Sequence, residues 1–148
     1  MNQSTPLFAS ILDESPTEVI YPTPLPVGTY LCVVGAREDG ESSQKKTPFW
    51  KYPLRPIAAL DDVDDTALQE VGGLENKLLS TTFYLTPDAI SMFDEFFANC
   101  GGDFDDGLSR KARSLELQNS QVLAVVSHRM NEDKTRTFAE VRRTAKAD

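Results

Sequence analysis

The stretch TPFWKYPLRP, residues 47 to 56, sets three aromatic rings, two cations and three prolines within ten positions. Read as a strand, its side chains divide by parity. Phe49, Lys51 and Arg55 share one face. A ring that stacks on a nucleobase and cations that neutralise the flanking phosphates are needed together in just this way. Trp50, Tyr52 and Leu54 share the other face, which is apolar throughout and is expected to line the core. Each proline deletes a ladder donor, and a bulge at one of them would shift the register and make Trp50 and Tyr52 the stacking platform. Both residues therefore stay in the candidate set. The bland alternative is an ordinary strand whose outer aromatics pack under a neighbouring segment.

The same chemistry recurs elsewhere. In KLLSTTFYLT, residues 77 to 86, Tyr84 shares a face with Ser80 and Thr82. Near the C-terminus Phe138 shares a face with Arg136 and Arg142. Lys45 and Lys46 precede the opening stretch, and Arg129 lies in the strand before Phe138. The candidate contact set is thus Lys45, Lys46, Phe49, Trp50, Lys51, Tyr52, Arg55, Tyr84, Arg129, Arg136, Phe138 and Arg142. The chain carries a net charge of −8, which opposes a polyanionic partner unless charge is segregated, and it is. Residues 61 to 75 hold six acids and no base, and residues 88 to 106 another six and no base. Salt screens such blocks from a basic patch beyond about 8–10 Å.

Other chemistries find no set of residues to carry them. His128 is the only histidine and sits inside an alternating run, where a strand-face role is the simpler reading. Cys32 and Cys100 lie far apart in apolar surroundings, as buried free thiols do. No glycine-rich phosphate loop precedes a helix. DFDDG at 103 to 107 has its glycine one place early for a calcium loop, and Ser114 stands where that loop needs glutamate. DDVDD reads as a solvated acidic loop. No catalytic residue, metal site or cofactor is expected.

The elements that position these residues follow from periodicity. Residues 1 to 27 carry five of the nine prolines and read as an extended arm, with a single domain from 28 to 148. A strand begins after Gly28, where Thr29, Leu31 and Val33 alternate with Tyr30, Cys32 and Val34. Residues 38 to 46 read as a polar loop. A second strand runs to about Leu60, followed by an acidic insertion with a helical turn near Thr66 to Glu70, then a third strand at 77 to 86. Thr86, Pro87 and Asp88 open a helix over 87 to 100, carried by Ile90, Phe93, Phe97 and Cys100 and ended by Gly101. A short basic helical piece is expected at Ser109 to Leu115. The runs at 121 to 130 and 136 to 144 form a closing hairpin.

Three strands, a helix and two strands give a mainly β chain in the order of a five-stranded OB-fold-like barrel, with one helix between strands three and four. The segments LPVGTYLCVVGAREDGESSQKKTPFWKYPLRP, FYLTPDAISMFDEFFANCGG and QVLAVVSHRMNEDKTRTFAEVRR resemble the small OB-fold single-stranded-DNA-binding proteins of bacteriophages. That resemblance implies non-enzymatic, largely sequence-independent binding of single-stranded DNA in phage-type replication or recombination. Many single-strand binders end in an acidic tail that recruits partners, whereas this chain ends RRTAKAD. Loop 61–75 is then the expected surface for replication or recombination proteins. No apolar run approaches the ~18 residues of a membrane span, and the first residues lack a basic start, so no membrane and a cytoplasmic location are expected, the host's if the protein is viral. The competing reading is an acidic OB-like structural or adaptor module that binds protein, which the net charge favours.

Overall fold

The computed structural model describes residues 23–104, 107–132 and 134–147. Most of the expected N-terminal arm lies outside them. Six antiparallel strands form one sheet: β1 (Gly28–Val34), β2 (Glu38–Glu41), β3 (Pro48–Ala59), β4 (Leu79–Tyr84), β5 (Gln121–Met130) and β6 (Thr137–Lys146). Among the described residues three short helices accompany them: α1 (Asp65–Glu70), α2 (Ile90–Asn99) and α3 (Arg110–Ser114). The ladders run β4-β3-β1-β5-β6, with β2 paired to the first part of β3. The fold is mainly β, as the sequence indicates, but the described residues form six strands rather than five.

The additional strand is β2. Its residues, Glu38, Asp39, Gly40 and Glu41, show no apolar alternation, and it exists because it completes a hairpin on Pro48–Lys51. The prolines of β3 are accommodated at places where no donor is required. Pro48 opens the strand; Pro53 lies opposite the break between β1 and β2, where its carbonyl accepts from the Gly35 N–H at 2.8 Å; Pro56 lies beyond Leu54↔Leu79, the last pairing with β4. The register slips at Ile57, because Leu31 pairs with Ala58 while Cys32 pairs with Pro56.

The inner face of the sheet closes over Tyr30, Cys32, Val34, Tyr52, Leu54, Phe83, Val122, Ala124 and Val126, all buried. Helix α2, between β4 and β5, fills the centre with Phe93, Phe96 and Phe97. Its first turn is tighter than the sequence suggests: the regular helix starts at Ile90, and the Thr86 hydroxyl caps the preceding turn by accepting from the Ala89 N–H at 3.2 Å. Gly101 ends it at φ +86°. The last residues of the lead-in are docked. Leu25 is buried, His128 Nε2 donates to its carbonyl at 2.7 Å, and the Tyr30 hydroxyl donates to the Pro26 carbonyl at 2.6 Å. No helix among the described residues is long and apolar enough to cross a membrane.

Strands β4 and β6 lie side by side without a ladder, so the sheet stays open along that seam. Two features stand where a ladder would have to form. The Asn99 side-chain amide of α2 donates to the Thr144 carbonyl at 3.2 Å and to its hydroxyl at 3.1 Å. Arg142 is an extra residue in β6, because Val125 pairs with Arg143 and Val126 with Val141.

Candidate nucleic-acid interface

The sheet divides the aromatic candidates by face. Tyr52 is wholly buried: its ring packs against Phe83, Phe93 and Phe96, and its hydroxyl donates to the Ser114 carbonyl at 2.7 Å. Trp50 lies on the same inner face, edge-on to Phe93 at 5.1 Å. The Arg37 guanidinium covers it at 4.9 Å from the ring centroid. Tyr52 is thereby withdrawn from any ligand, whereas Trp50 is half-buried, its inner side packed against the core. The prolines are absorbed without turning the strand over, so the parity of β3 keeps its alternative register from forming.

The outer face of β3 and β4 carries the other set. Phe49 pairs with Tyr84, and their rings meet edge to face with centroids 5.8 Å apart. Lys51 and Thr82 form the next same-face pair, about 7 Å further along. On the other side of β3, Gly40 faces Phe49 and Glu38 faces Lys51. The Phe49 ring lies close over Gly40, where a Cβ would stand 2.5 Å from Phe49 Cζ and oblige the ring to move. The β2–β3 turn carries Lys45 and Lys46, both exposed. Ser42 closes it, its N–H donating to the Thr47 carbonyl at 2.9 Å and its hydroxyl accepting from the Thr47 N–H at 3.0 Å.

The closing hairpin carries a second aromatic station. Arg129 and Arg136 both lie over Phe138, at 5.6 and 4.6 Å from its centroid, and Arg129 also pairs with Glu140 at 3.7 Å. Asn131 fixes the turn, its side-chain carbonyl accepting from the Thr135 and Arg136 N–H groups at 2.9 and 3.3 Å. Across the open seam β6 of this hairpin faces β4. Thr81 and Thr82 of β4 and Val141 to Thr144 of β6 line one cleft of about 210 Å³, and Leu78 and Leu79 share a second with Arg136 to Ala139. Arg55 stands apart: it is exposed on β3 beyond the end of β4, in a groove with Ile57 and Leu74 to Lys77.

Pairing sorts the cations further than sequence can. Arg37 is held by Asp39 at 2.8 Å and by Ser114 Oγ at 2.6 Å. Arg110 grips Asp94 through two hydrogen bonds of 2.9 and 2.7 Å, which holds the Asp94 carboxyl below its usual range. Arg113 is spent on the Phe97 and Phe104 rings and the Phe104 carbonyl. By contrast, Lys45, Lys46, Lys51, Arg55, Arg142 and Arg143 have no ion pair or side-chain hydrogen bond among the described residues. Arg143 was missing from the sequence-derived set; its pairing with Val125 puts it on the outer face, a placement that depends on the bulge at Arg142.

The cysteines offer no chemistry to this face. Cys32 is buried and Cys100 half-buried, and burial pushes both thiols up to about 12. Among the described residues no three histidine, cysteine or acidic side chains gather as a metal site would require. No protein-family model and no curated protein matches the chain.

Proposed function

We propose that the chain is a non-enzymatic, largely sequence-independent binder of single-stranded DNA in phage-type replication or recombination, working in the host cytoplasm. The observation that carries this reading is the Phe49–Tyr84 pair on the outer face of β3 and β4, flanked by uncommitted Lys45, Lys46 and Lys51. Rings accept any base on their π-faces, and the lysines supply a salt-dependent hold on phosphate. The architecture supports it as well. Taken as one interrupted strand, β1 and β2 leave five strands in the order of an OB-like barrel with α2 between the third and fourth. In such barrels, the face of the second and third strands, with the loops between strands one and two and between four and five, binds the oligonucleotide. The second and third strands here are β3 and β4.

The six acids of residues 61 to 75 are all exposed around α1, and we assign them to recruitment of replication or recombination proteins. The test of the main reading is a gel-shift series with oligo-thymidine and a duplex of the same length across a range of salt. Retention of the single strand, weakening with salt and weaker for duplex, is expected. Failure to retain any nucleic acid would replace this reading with the acidic protein-binding adaptor.

A further inference from the structure

The two aromatic stations sit on different strands that no ladder joins, and the surface between them is not neutral. Tyr84 and Thr82 project from the outer face of β4. Across the seam, at the level of Thr81 and Thr82, stand Arg142 and Arg143, both exposed and both without an ion pair among the described residues. Further along the same strand, at the level of Leu78 and Leu79, stands Phe138 between its two arginines. The bulge is what makes this possible, because the extra residue in β6 adds a second outward cation where a regular strand would send alternate side chains inward. The acid in the cleft, Glu95, belongs to α2, and Glu140, which stands on β6 between Arg142 and Phe138, is paired with Arg129 at 3.7 Å.

We propose, resting on the single-strand-binding reading above, that the β4–β6 seam carries the nucleic acid from one station to the other, with Arg142 and Arg143 holding the phosphates of the crossing nucleotides. The bound strand then runs diagonally from Phe49 and Tyr84, past Thr82, over the two arginines to Phe138. Five residues along a strand and one inter-strand step span about 20 Å. At the stacked spacing of about 3.4 Å per phosphate this is about six nucleotides. An oligomer shorter than this occupies one station; a longer one engages both and gains affinity from the linkage.

Binding of oligo-thymidines from four to twenty nucleotides at fixed salt tests this, using the parent, Arg142→Ala/Arg143→Ala, Phe138→Ala and, as a charge control away from the seam, Lys111→Ala. The parent is expected to show a step of about tenfold or more on passing about six nucleotides. The seam and Phe138 variants are expected to lose the step, keeping at every length the affinity that the Phe49–Tyr84 station supplies alone, and the control to keep it. A smooth rise with length in the parent, or a seam variant that weakens every length by the same factor or none, would overturn the bridge and leave single-strand binding intact. Absence of binding at every length would overturn the underlying reading and the bridge together.

Discussion

Phe49 and Tyr84 stand opposite one another on adjacent strands, edge to face at an interplanar angle of 74°, on the side of the sheet away from the core. An edge-on contact leaves ring faces available, and Tyr84 is 43% exposed. Tyr84→Ala is expected to weaken single-strand binding by about 1–3 kcal/mol with little change in thermal midpoint. Phe49→Ala should weaken it similarly while losing up to about 1 kcal/mol of stability from the ring pair. Titration calorimetry and thermal melts of the same samples separate the two effects. Melting losses with unchanged affinity would mean that the rings serve packing alone.

Gly40 offers a way to disturb the pair without touching it. Gly40→Ala places a methyl 2.5 Å from Phe49 Cζ, so the ring must move. Its exposed side is the direction open to it. The expected result is a folded protein with affinity reduced toward that of Phe49→Ala, and no further loss when the two substitutions are combined.

The inner face of β3 should behave oppositely. Tyr52→Phe leaves the Ser114 carbonyl without its donor and is expected to cost about 1–3 kcal/mol of stability. Trp50→Ala should cost about 3 kcal/mol. The fraction that remains folded should bind oligo-thymidine as the parent does. An unchanged melt with lost binding would place these rings on the wrong side of the sheet.

Salt dependence tests the unpaired cations. Log affinity should fall linearly with log salt, at about −0.7 per phosphate neutralised on a single strand. Lys51→Ala should weaken all sequences alike and make the slope shallower by up to about one phosphate's share. Arg110→Ala, whose guanidinium is already committed to Asp94, should leave the slope as it is.

Acid stability should report the join between β1 and the acidic segment. Thr29 donates to the Asp62 carboxylate through its N–H and its hydroxyl, each at 2.8 Å, and this holds the Asp62 carboxyl below its ordinary range. A carboxyl lowered by folding stabilises the native state above its unfolded pKa, and the contribution is lost as pH falls through the folded value. Asp62→Asn should therefore melt below the parent at neutral pH, and the two curves should converge as pH falls through and below the carboxylate range. A constant gap across that range would mean that the charge plays no part.

The strands with one apolar face were legible from alternation: Tyr30, Cys32 and Val34 in β1 and Val122, Ala124 and Val126 in β5 point inward as their spacing demands. The helix over Phe93 and Phe97 and its Gly101 end were legible for the same reason. Strand β2 was not, because both its faces are polar and only its pairing with β3 defines it. The site was readable to the level of parity on β3. Which cations remain uncommitted was not readable, since Arg110 finds Asp94 sixteen residues away and Arg37 finds Ser114 seventy-seven away. The outward turn of Arg143 depends on a bulge that has no residue signature.

The placement of Trp50 has a spectroscopic consequence. It is the only tryptophan in the chain, and it emits from beneath Arg37 against Phe93, on the opposite side of the strand from Phe49 and Tyr84. Its fluorescence is thus a gauge of whether the sheet is folded, responsive to denaturant and to loss of the Arg37 cover. A base stacked on Phe49 or Tyr84 would lie across the strand from the indole, so oligo-thymidine is expected to leave the Trp50 emission nearly unchanged.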